Sequence, residues 1–129
     1  EAYRSAGVAA ELAPFFEDMP GRAAAAHLVV ARAGASTVAE LAAIGRPAIL
    51  VPYPHAAADH QTANARAMER AGAAVLAPEA ELTAEGLARH LKALLLDPAR
   101  AAAMAAAARG EGRPDAAARL ADMVEEIAR

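Results

Sequence analysis

Cysteine is absent from this chain of 129 residues, and lysine and aromatic residues are scarce. Without cysteine, neither a disulfide framework nor a thiolate metal site can form. The thirteen basic residues are twelve arginines and Lys92, scattered along the sequence, and the formal net charge is −3. This balance gives no basic surface of the kind that binds nucleic acid, so no nucleic-acid partner is predicted. No apolar run approaches the roughly 20 residues needed to cross a bilayer.

What the sequence does contain is an alternation of short apolar runs with helical patterns. The runs at 28–31, 48–51 and 73–76 carry no charge and lack a period of two, which is typical of buried strands in a parallel sheet. Residues 8–12 are predicted to form a further, weaker strand. Helices are predicted at 21–26, 37–44, 59–71, 83–95 and 97–109, and in a final segment with an apolar stripe of Leu120, Met123, Val124 and Ile127. The pattern predicts one α/β domain, a parallel sheet with flanking helices.

Three loops follow the ends of predicted strands, at 14–19, 33–37 and 52–61. Ligands of open parallel sheets bind outside the carboxyl ends of the strands. We therefore expect these loops to converge on one edge of the sheet and to form a binding site there.

The turn after the 28–31 strand has the features of an anion site. Gly34 permits a tight turn, and a helix follows at once, so unpaired backbone N–H groups face the space above the sheet. Glu40 would project a carboxylate from the first helical turn toward a pair of vicinal hydroxyls. A competing interpretation is a capping box, with Thr37 as the N-cap and Glu40 bonded back to the backbone. The decapeptide 32–41 alone leaves both interpretations open.

The combined chemistry of the three loops suits a nucleotide sugar. Phosphates would meet the helix N-terminus, a base would lie against an aromatic ring, and a ribose diol would face Glu40. Sugar hydroxyls would meet a polar cluster whose amide groups donate and accept hydrogen bonds at once. The cluster consists of His60, Gln61 and Asn64.

Other interpretations compete at two of the loops. Phe15 and Phe16 could instead close the edge of the core. His55, Asp59 and His60 could bind a metal ion, although a metal site needs at least three convergent ligands. The sequence shows neither a phosphate-binding P-loop nor a glycine-rich dinucleotide motif, and Ser36 has no evident base partner.

The order of several motifs resembles the C-terminal half of the MurG family. The matching stretches are Arg32 to Glu40, Gly45 to Pro52, the D-x-Q-x-x-N pattern of Asp59 to Asn64, Ala71 to Ala74, and the loop Phe15 to Met19. This family transfers N-acetylglucosamine from UDP to lipid I, which makes lipid II in peptidoglycan synthesis. The resemblance implies a Rossmann-like sheet within a two-domain GT-B fold.

The resemblance also implies roles for individual residues. Phe15 and Phe16 would flank the uracil, with Met19 lining the same pocket. Glu40 would hold the ribose hydroxyls, and Ala35 and Ser36 would lie near the phosphates. The remaining residues of the expected UDP-N-acetylglucosamine site are His60, Gln61 and Asn64. His60 stands where the family has a glutamine, so Gln61 is the firmer expectation. No catalytic residue, cofactor or metal is implied in this half.

A member of this family has further parts beyond those that the chain matches. The resemblance implies that residues 1–129 form an incomplete C-terminal domain, in which 8–12 and 28–31 would be the third and fourth strands. The first two strands and the N-terminal domain that binds the lipid-linked acceptor would be absent. The chain alone would then be inactive, and its open sheet edges would favour self-association. The parent enzyme would act at the cytoplasmic side of the bacterial inner membrane, as a peripheral protein serving cell-wall synthesis, cell shape and cell division.

Three alternatives remain at this point. The chain could be the donor domain of another GT-B transferase that uses a UDP-sugar. It could be a non-catalytic nucleotide-binding subunit that needs a partner chain. It could also be a purely structural, alanine-rich helical domain.

Overall fold

The computed structural model describes residues 1–128 and contains a parallel sheet of three strands. The strands are β1 (Val29–Ala31), β2 (Ala48–Leu50) and β3 (Ala74–Leu76), in the spatial order β1-β2-β3. Val30 lies opposite Ile49, which in turn lies opposite Val75. All three strands therefore end at the same edge, as the sequence predicted for the runs at 28–31, 48–51 and 73–76.

Seven helices are present in residues 1–128. They are α1 (Ala2–Ser5), α2 (Met19–Ala25), α3 (Ala35–Ile44), α4 (His60–Arg70), α5 (Ala84–Leu95), α6 (Pro98–Glu111) and α7 (Ala116–Ile127). Two short 3-10 turns lie at Ala57–Asp59 and Glu79–Glu81. None of the helices in this part of the chain is both long enough and apolar enough to span a membrane.

Local capping signals fix several helix ends where the sequence predicted them. The Thr83 hydroxyl accepts a hydrogen bond from the backbone N–H of Gly86 at 3.0 Å, and the Asp97 carboxylate accepts one from the backbone N–H of Arg100 at the same distance. Gly45 ends α3 in the left-handed conformation, with a φ of 67°. The N–H of Arg46 then bonds the Leu41 carbonyl at 3.0 Å, as in a Schellman cap.

Side chains are buried on both faces of the sheet. On one face Leu41 of α3 and Met68 of α4 pack over Leu50. On the other, Leu94 of α5 and Met104 of α6 pack over Ile49. The helices thus enclose β2 from both sides.

Two expectations about the ends of the domain are wrong. Residues 8–12 form no strand and pair with neither outer strand of the sheet, and Leu12 is 69% exposed. β1 is not fully buried, since Val30 is 45% exposed on this outer strand of the sheet. The stripe of α7 forms on one helix as predicted, but all four of its apolar side chains are exposed.

Candidate functional site

Gln61 joins two of the three loops that were expected to converge. Its side-chain Oε1 accepts hydrogen bonds from the backbone N–H of Ala33, at 3.1 Å, and from that of Tyr53, at 3.0 Å. Ala33 follows β1 and Tyr53 follows β2, so one amide oxygen ties the two strand ends together. Both acceptor positions of that oxygen are used. Gln61 therefore offers a ligand the donors of its Nε2 and not the mixed donor and acceptor that the sequence suggested.

Asn64 strengthens the same junction from the next turn of α4. Its Nδ2 donates to the carbonyl of Ala33 at 3.0 Å, so α4 holds both backbone groups of that residue. Ala33 is completely buried. Asn64 thus contributes to the site by fixing the turn that precedes α3, and a direct contact to a ligand stays a prediction.

The N-terminus of α3 opens beside this junction. Gly34 occupies the N-cap position, no side chain caps the helix, and the first helical hydrogen bond runs from Val38 to Gly34. The N–H groups of the residues between them have no acceptor within the helix. A Cβ built on Gly34 would lie 4.0 Å from Gln61 Nε2. Backbone and amide donors therefore adjoin here, an arrangement that suits an anionic or hydroxyl-bearing group.

The interpretation of Thr37 and Glu40 as a capping box is wrong. α3 begins at Ala35 with Gly34 as its N-cap, three residues earlier than that motif requires, because the chain enters the helix directly from the turn at Gly34. Thr37 is consequently inside the first turn and Glu40 in the second. Glu40 is exposed and makes no hydrogen bond or ion pair within residues 1–128. Its carboxylate is free for a ligand, and the ribose contact stays a prediction.

His60 is oriented by an unusual turn ahead of α4. Its Nδ1 lies 2.7 Å from the carbonyl oxygen of Ala57. Ala58 and Asp59 between them have φ values of 49° and 52°, a left-handed conformation that costs non-glycine residues about 1–3 kcal/mol each. Asp59 occupies the N-cap of α4 as predicted, but its side chain caps nothing. In the described residues no three His, Cys, Asp or Glu side chains are placed to hold a metal ion, which removes the support for a metal at His55, Asp59 and His60.

Arg32 and Glu79 form a second link across the strand ends, which the sequence reasoning missed. Arg32 Nη1 donates to the carbonyls of Val51, at 3.4 Å, and Pro52, at 3.2 Å, and pairs with the Glu79 carboxylate. The guanidinium carbon lies 5.7 Å from the ring centre of Tyr53. A signal was available, because Arg32 and Glu79 are charged residues that closely follow predicted strands.

The 14–19 loop is held differently. Phe15 is 76% exposed, so it does not close the core edge, and Met19 begins α2 with 48% of its surface exposed. The Arg22 guanidinium lies 4.1 Å from the ring centre of the half-buried Phe16 and bonds both oxygens of Glu11, at 2.8 and 2.7 Å. This hydrogen-bonded pairing lowers the pKa of Glu11 and raises that of Arg22.

No strand precedes the 14–19 loop, contrary to expectation. Within residues 1–128, no hydrogen bond joins it to the other two loops. Its convergence with them, and with it the uracil site at Phe15, Phe16 and Met19, stays a prediction.

Comparisons with known proteins agree with this architecture. The family model described as Glycosyltransferase family 28 C-terminal domain matches residues 2–120. A UDP-N-acetylglucosamine--N-acetylmuramyl-(pentapeptide) pyrophosphoryl-undecaprenol N-acetylglucosamine transferase of Rhodospirillum centenum is 62% identical over 96% of this chain and 33% of its own length. The protein of the same name from Alkalilimnicola ehrlichii is 58% identical over 100% of this chain and 36% of its own length.

A solved structure shares the fold. The crystal structure of Acinetobacter baumannii MurG superposes with a TM-score of 0.83 and 36% identity, covering 94% of this chain and 35% of that protein. The predicted parallel, Rossmann-like architecture and the resemblance to the MurG family are thereby confirmed. The chain spans about a third of the length of the curated relatives it matches.

Proposed function

Because the chain belongs to the glycosyltransferase family 28 C-terminal domain family, we propose that it binds UDP-N-acetylglucosamine as the donor half of a transferase. That transferase moves N-acetylglucosamine onto lipid I to form lipid II. The names of the relatives support this choice of donor and acceptor, since they specify both an N-acetylglucosamine transfer and a lipid-linked muramyl-pentapeptide.

One observation carries the proposal. Gln61 ties the turn before α3 to the loop after β2, which brings its amide donors next to an uncapped helix N-terminus. A sugar diphosphate needs such a combination, because its phosphates accept hydrogen bonds from backbone N–H groups while its hydroxyls bond side chains. In this proposal the phosphates lie over Ala35 and Ser36, and the sugar lies against Gln61.

His60 complements Gln61 at the sugar. In the tautomer that donates Nδ1–H to the Ala57 carbonyl, the other ring nitrogen is a hydrogen-bond acceptor. Gln61 supplies donors from Nε2, so the two neighbouring side chains can together accept hydrogen bonds from the sugar hydroxyls and donate to them. This arrangement supports a sugar contact for His60, although the residue departs from the glutamine of the family pattern.

The ribose and the uracil are assigned to two further groups. The carboxylate of Glu40, which has no partner within residues 1–128, accepts hydrogen bonds from the ribose diol. The uracil lies between Phe15 and Phe16, with Met19 lining its pocket. One face of Phe16 is covered by Arg22, which supports stacking of the base on its other face.

The rest of the reaction belongs to parts of the transferase outside the matched third. In our proposal an acceptor domain there binds the lipid-linked substrate, contacts the membrane peripherally and supplies the proton acceptor. The present chain contributes positioning of the donor and stabilisation of the departing diphosphate. The unpaired outer edges of β1 and β3 favour self-association of the chain on its own.

Titration calorimetry of the chain with UDP and with UDP-N-acetylglucosamine tests the proposal. Glu40→Ala should weaken the binding of both ligands by about 1–3 kcal/mol, because the ribose hydroxyls lose a charged acceptor. It should leave the melting temperature unchanged, since Glu40 makes no hydrogen bond or ion pair within residues 1–128.

Glu125→Ala is the matched control, because it removes an exposed carboxylate on α7. If the unsubstituted chain (the parent of these variants) bound neither ligand, the donor-site proposal would be refuted. Tighter binding of UDP-glucose than of UDP-N-acetylglucosamine would instead favour a transferase that uses another UDP-sugar.

A further inference from the structure

We propose that Arg32, paired with Glu79, is a positioning residue that orients the Gln61 amide toward the sugar. The inference rests on the donor site proposed above and adds to it a residue pair outside the expected ligand contacts. Arg32 follows β1 directly, and Glu79 begins the 3-10 turn after β3. The pair therefore reaches across the carboxyl ends of all three strands.

The central observation is that one peptide group is held at both of its ends. The carbonyl oxygen of Pro52 accepts a hydrogen bond from Arg32 Nη1 at 3.2 Å. The N–H of Tyr53, which belongs to the same peptide bond, donates to Gln61 Oε1 at 3.0 Å. Because a peptide group is planar and rigid, the bond to Arg32 fixes the direction in which the Tyr53 N–H points.

That direction decides which end of the Gln61 amide faces a ligand. The amide oxygen is held by two N–H groups, those of Ala33 and Tyr53. A half-turn of the amide would place its NH2 group against both of these donors and lose both hydrogen bonds. As long as the Tyr53 N–H stays in place, Nε2 of Gln61 must face away from the junction, toward the proposed sugar.

Arg32 is itself fixed from two further sides. Glu79 pairs with Nη1, and the guanidinium lies over the ring of Tyr53, 5.7 Å from its centre. The Arg32 and Glu79 side chains are both about half exposed, so their ion pair contributes little to stability. We assign to the pair the orientation of the peptide group between Pro52 and Tyr53. All of these polar contacts use Nη1, so a lysine could supply the charge and bond the same oxygens, but it lacks the planar group that lies over the Tyr53 ring.

The test compares two ligands on the same variants of the chain. Arg32→Met should weaken binding of UDP-N-acetylglucosamine about tenfold, as expected for one misplaced hydrogen-bonding group, and change binding of UDP by less than about twofold. Arg32→Lys and Glu79→Gln should give smaller losses with the same selectivity. Arg119→Met, at an exposed position on α7, is the matched control and should change neither affinity.

A second variant separates positioning from a general structural effect. In a Gln61→Leu background, Arg32→Met should have no further effect on the ratio of the two affinities, since the group that it orients is gone. If Arg32→Met alone weakened the binding of both ligands equally, the proposal would be overturned. A further change of the affinity ratio on adding Arg32→Met to Gln61→Leu would overturn it as well.

Amide hydrogen exchange of the unliganded chain gives a readout that does not require any donor to bind. Exchange at the Tyr53 N–H should become faster in Arg32→Met than in the parent and in Arg119→Met. Unchanged exchange would contradict the positioning role even if the parent bound no ligand. If the unsubstituted chain binds no UDP-sugar but Arg32→Met still exchanges faster at the Tyr53 N–H, only the proposed function is refuted.

Discussion

The loops after β1 and β2 and the segment before β1 were expected to build one site, but they are held in different ways. After the strands, Gln61 and Asn64 bond backbone groups of Ala33 and Tyr53. Before β1, residues 8–18 are extended or irregular, and the side-chain link is an exposed pair between Glu11 and Arg22. The first region is tied to the sheet itself, whereas the second is tied to α2.

The contrast shows why a loop needs an adjacent strand to be fixed. Amide side chains that bond the backbone of the buried Ala33 are costly to lose, because each loss leaves an unsatisfied donor or acceptor. An exposed ion pair contributes only about 0–1 kcal/mol. We therefore expect the strand-end loops to be rigid before a ligand binds and the 14–19 loop to depend on the ligand for its final position.

The largest expected difference in stability is between a substitution in the core beneath the strand-end loops and one on the surface of the segment before β1. Ile49→Ala should lower the free energy of unfolding by about 2–5 kcal/mol, because Ile49 is completely buried in β2. Leu12→Ala, at a position that is 69% exposed, should cost less than about 0.5 kcal/mol. Urea denaturation of both variants measures this difference, and a comparable loss in Leu12→Ala would mean that residues 8–12 are packed in solution.

A smaller effect is expected at the junction between the two strand-end loops. Gln61→Leu should cost about 1–3 kcal/mol of stability, since the N–H groups of Ala33 and Tyr53 lose their acceptor. Gln61→Glu is the matched control, because a carboxylate can accept both bonds but has no donor for a sugar. The second variant should keep its melting temperature and still lose affinity for UDP-N-acetylglucosamine. Loss of stability in both variants would show that the amide nitrogen is itself structural.

The smallest effect is expected at the exposed ion pair. Arg22→Met should return the pKa of Glu11 from its lowered value to the ordinary range of a glutamate, because the hydrogen bond from Arg22 is the main cause of the shift. A pKa that is lowered on folding adds stability above the unfolded pKa, and this stability is lost as the pH falls through the folded pKa. The parent should therefore lose a small stabilisation in acid that Arg22→Met lacks.

An NMR titration of the Glu11 carboxyl group, with Arg4→Met on α1 as the control, follows the pKa directly. An unshifted Glu11 in the parent would mean that the pair does not form in solution.

The features that could be predicted from the sequence are those that neighbouring residues determine, such as the ends of helices. Thr83, Asp97 and Gly45 determine the helix ends within a few residues, and each acted as expected. Residues 8–12 could not be judged in this way, because a strand forms only where another strand pairs with it. Thr37 and Glu40 suggested an incorrect helix start, because the residue spacing of a capping box also occurs inside a helix.

The site was predictable to a lesser extent, for a related reason. Gln61 was singled out as a ligand contact, yet its bonds to Ala33 and Tyr53 depend on how two strand ends meet in space. The pairing of Arg32 with Glu79 joins residues 47 positions apart, which no local pattern reveals. Arg32 and Glu79 each closely follow a predicted strand, and this placement is the signal that sequence reasoning can use.

The most direct test of the donor cradle is a backbone amide NMR titration of the chain with UDP-N-acetylglucosamine. We expect the resonances of Phe16, Ser36 and Gln61 to shift together and to saturate at one dissociation constant, because all three loops contact a single ligand. Shifts confined to one loop, or to residues at the amino ends of the strands, would contradict the account.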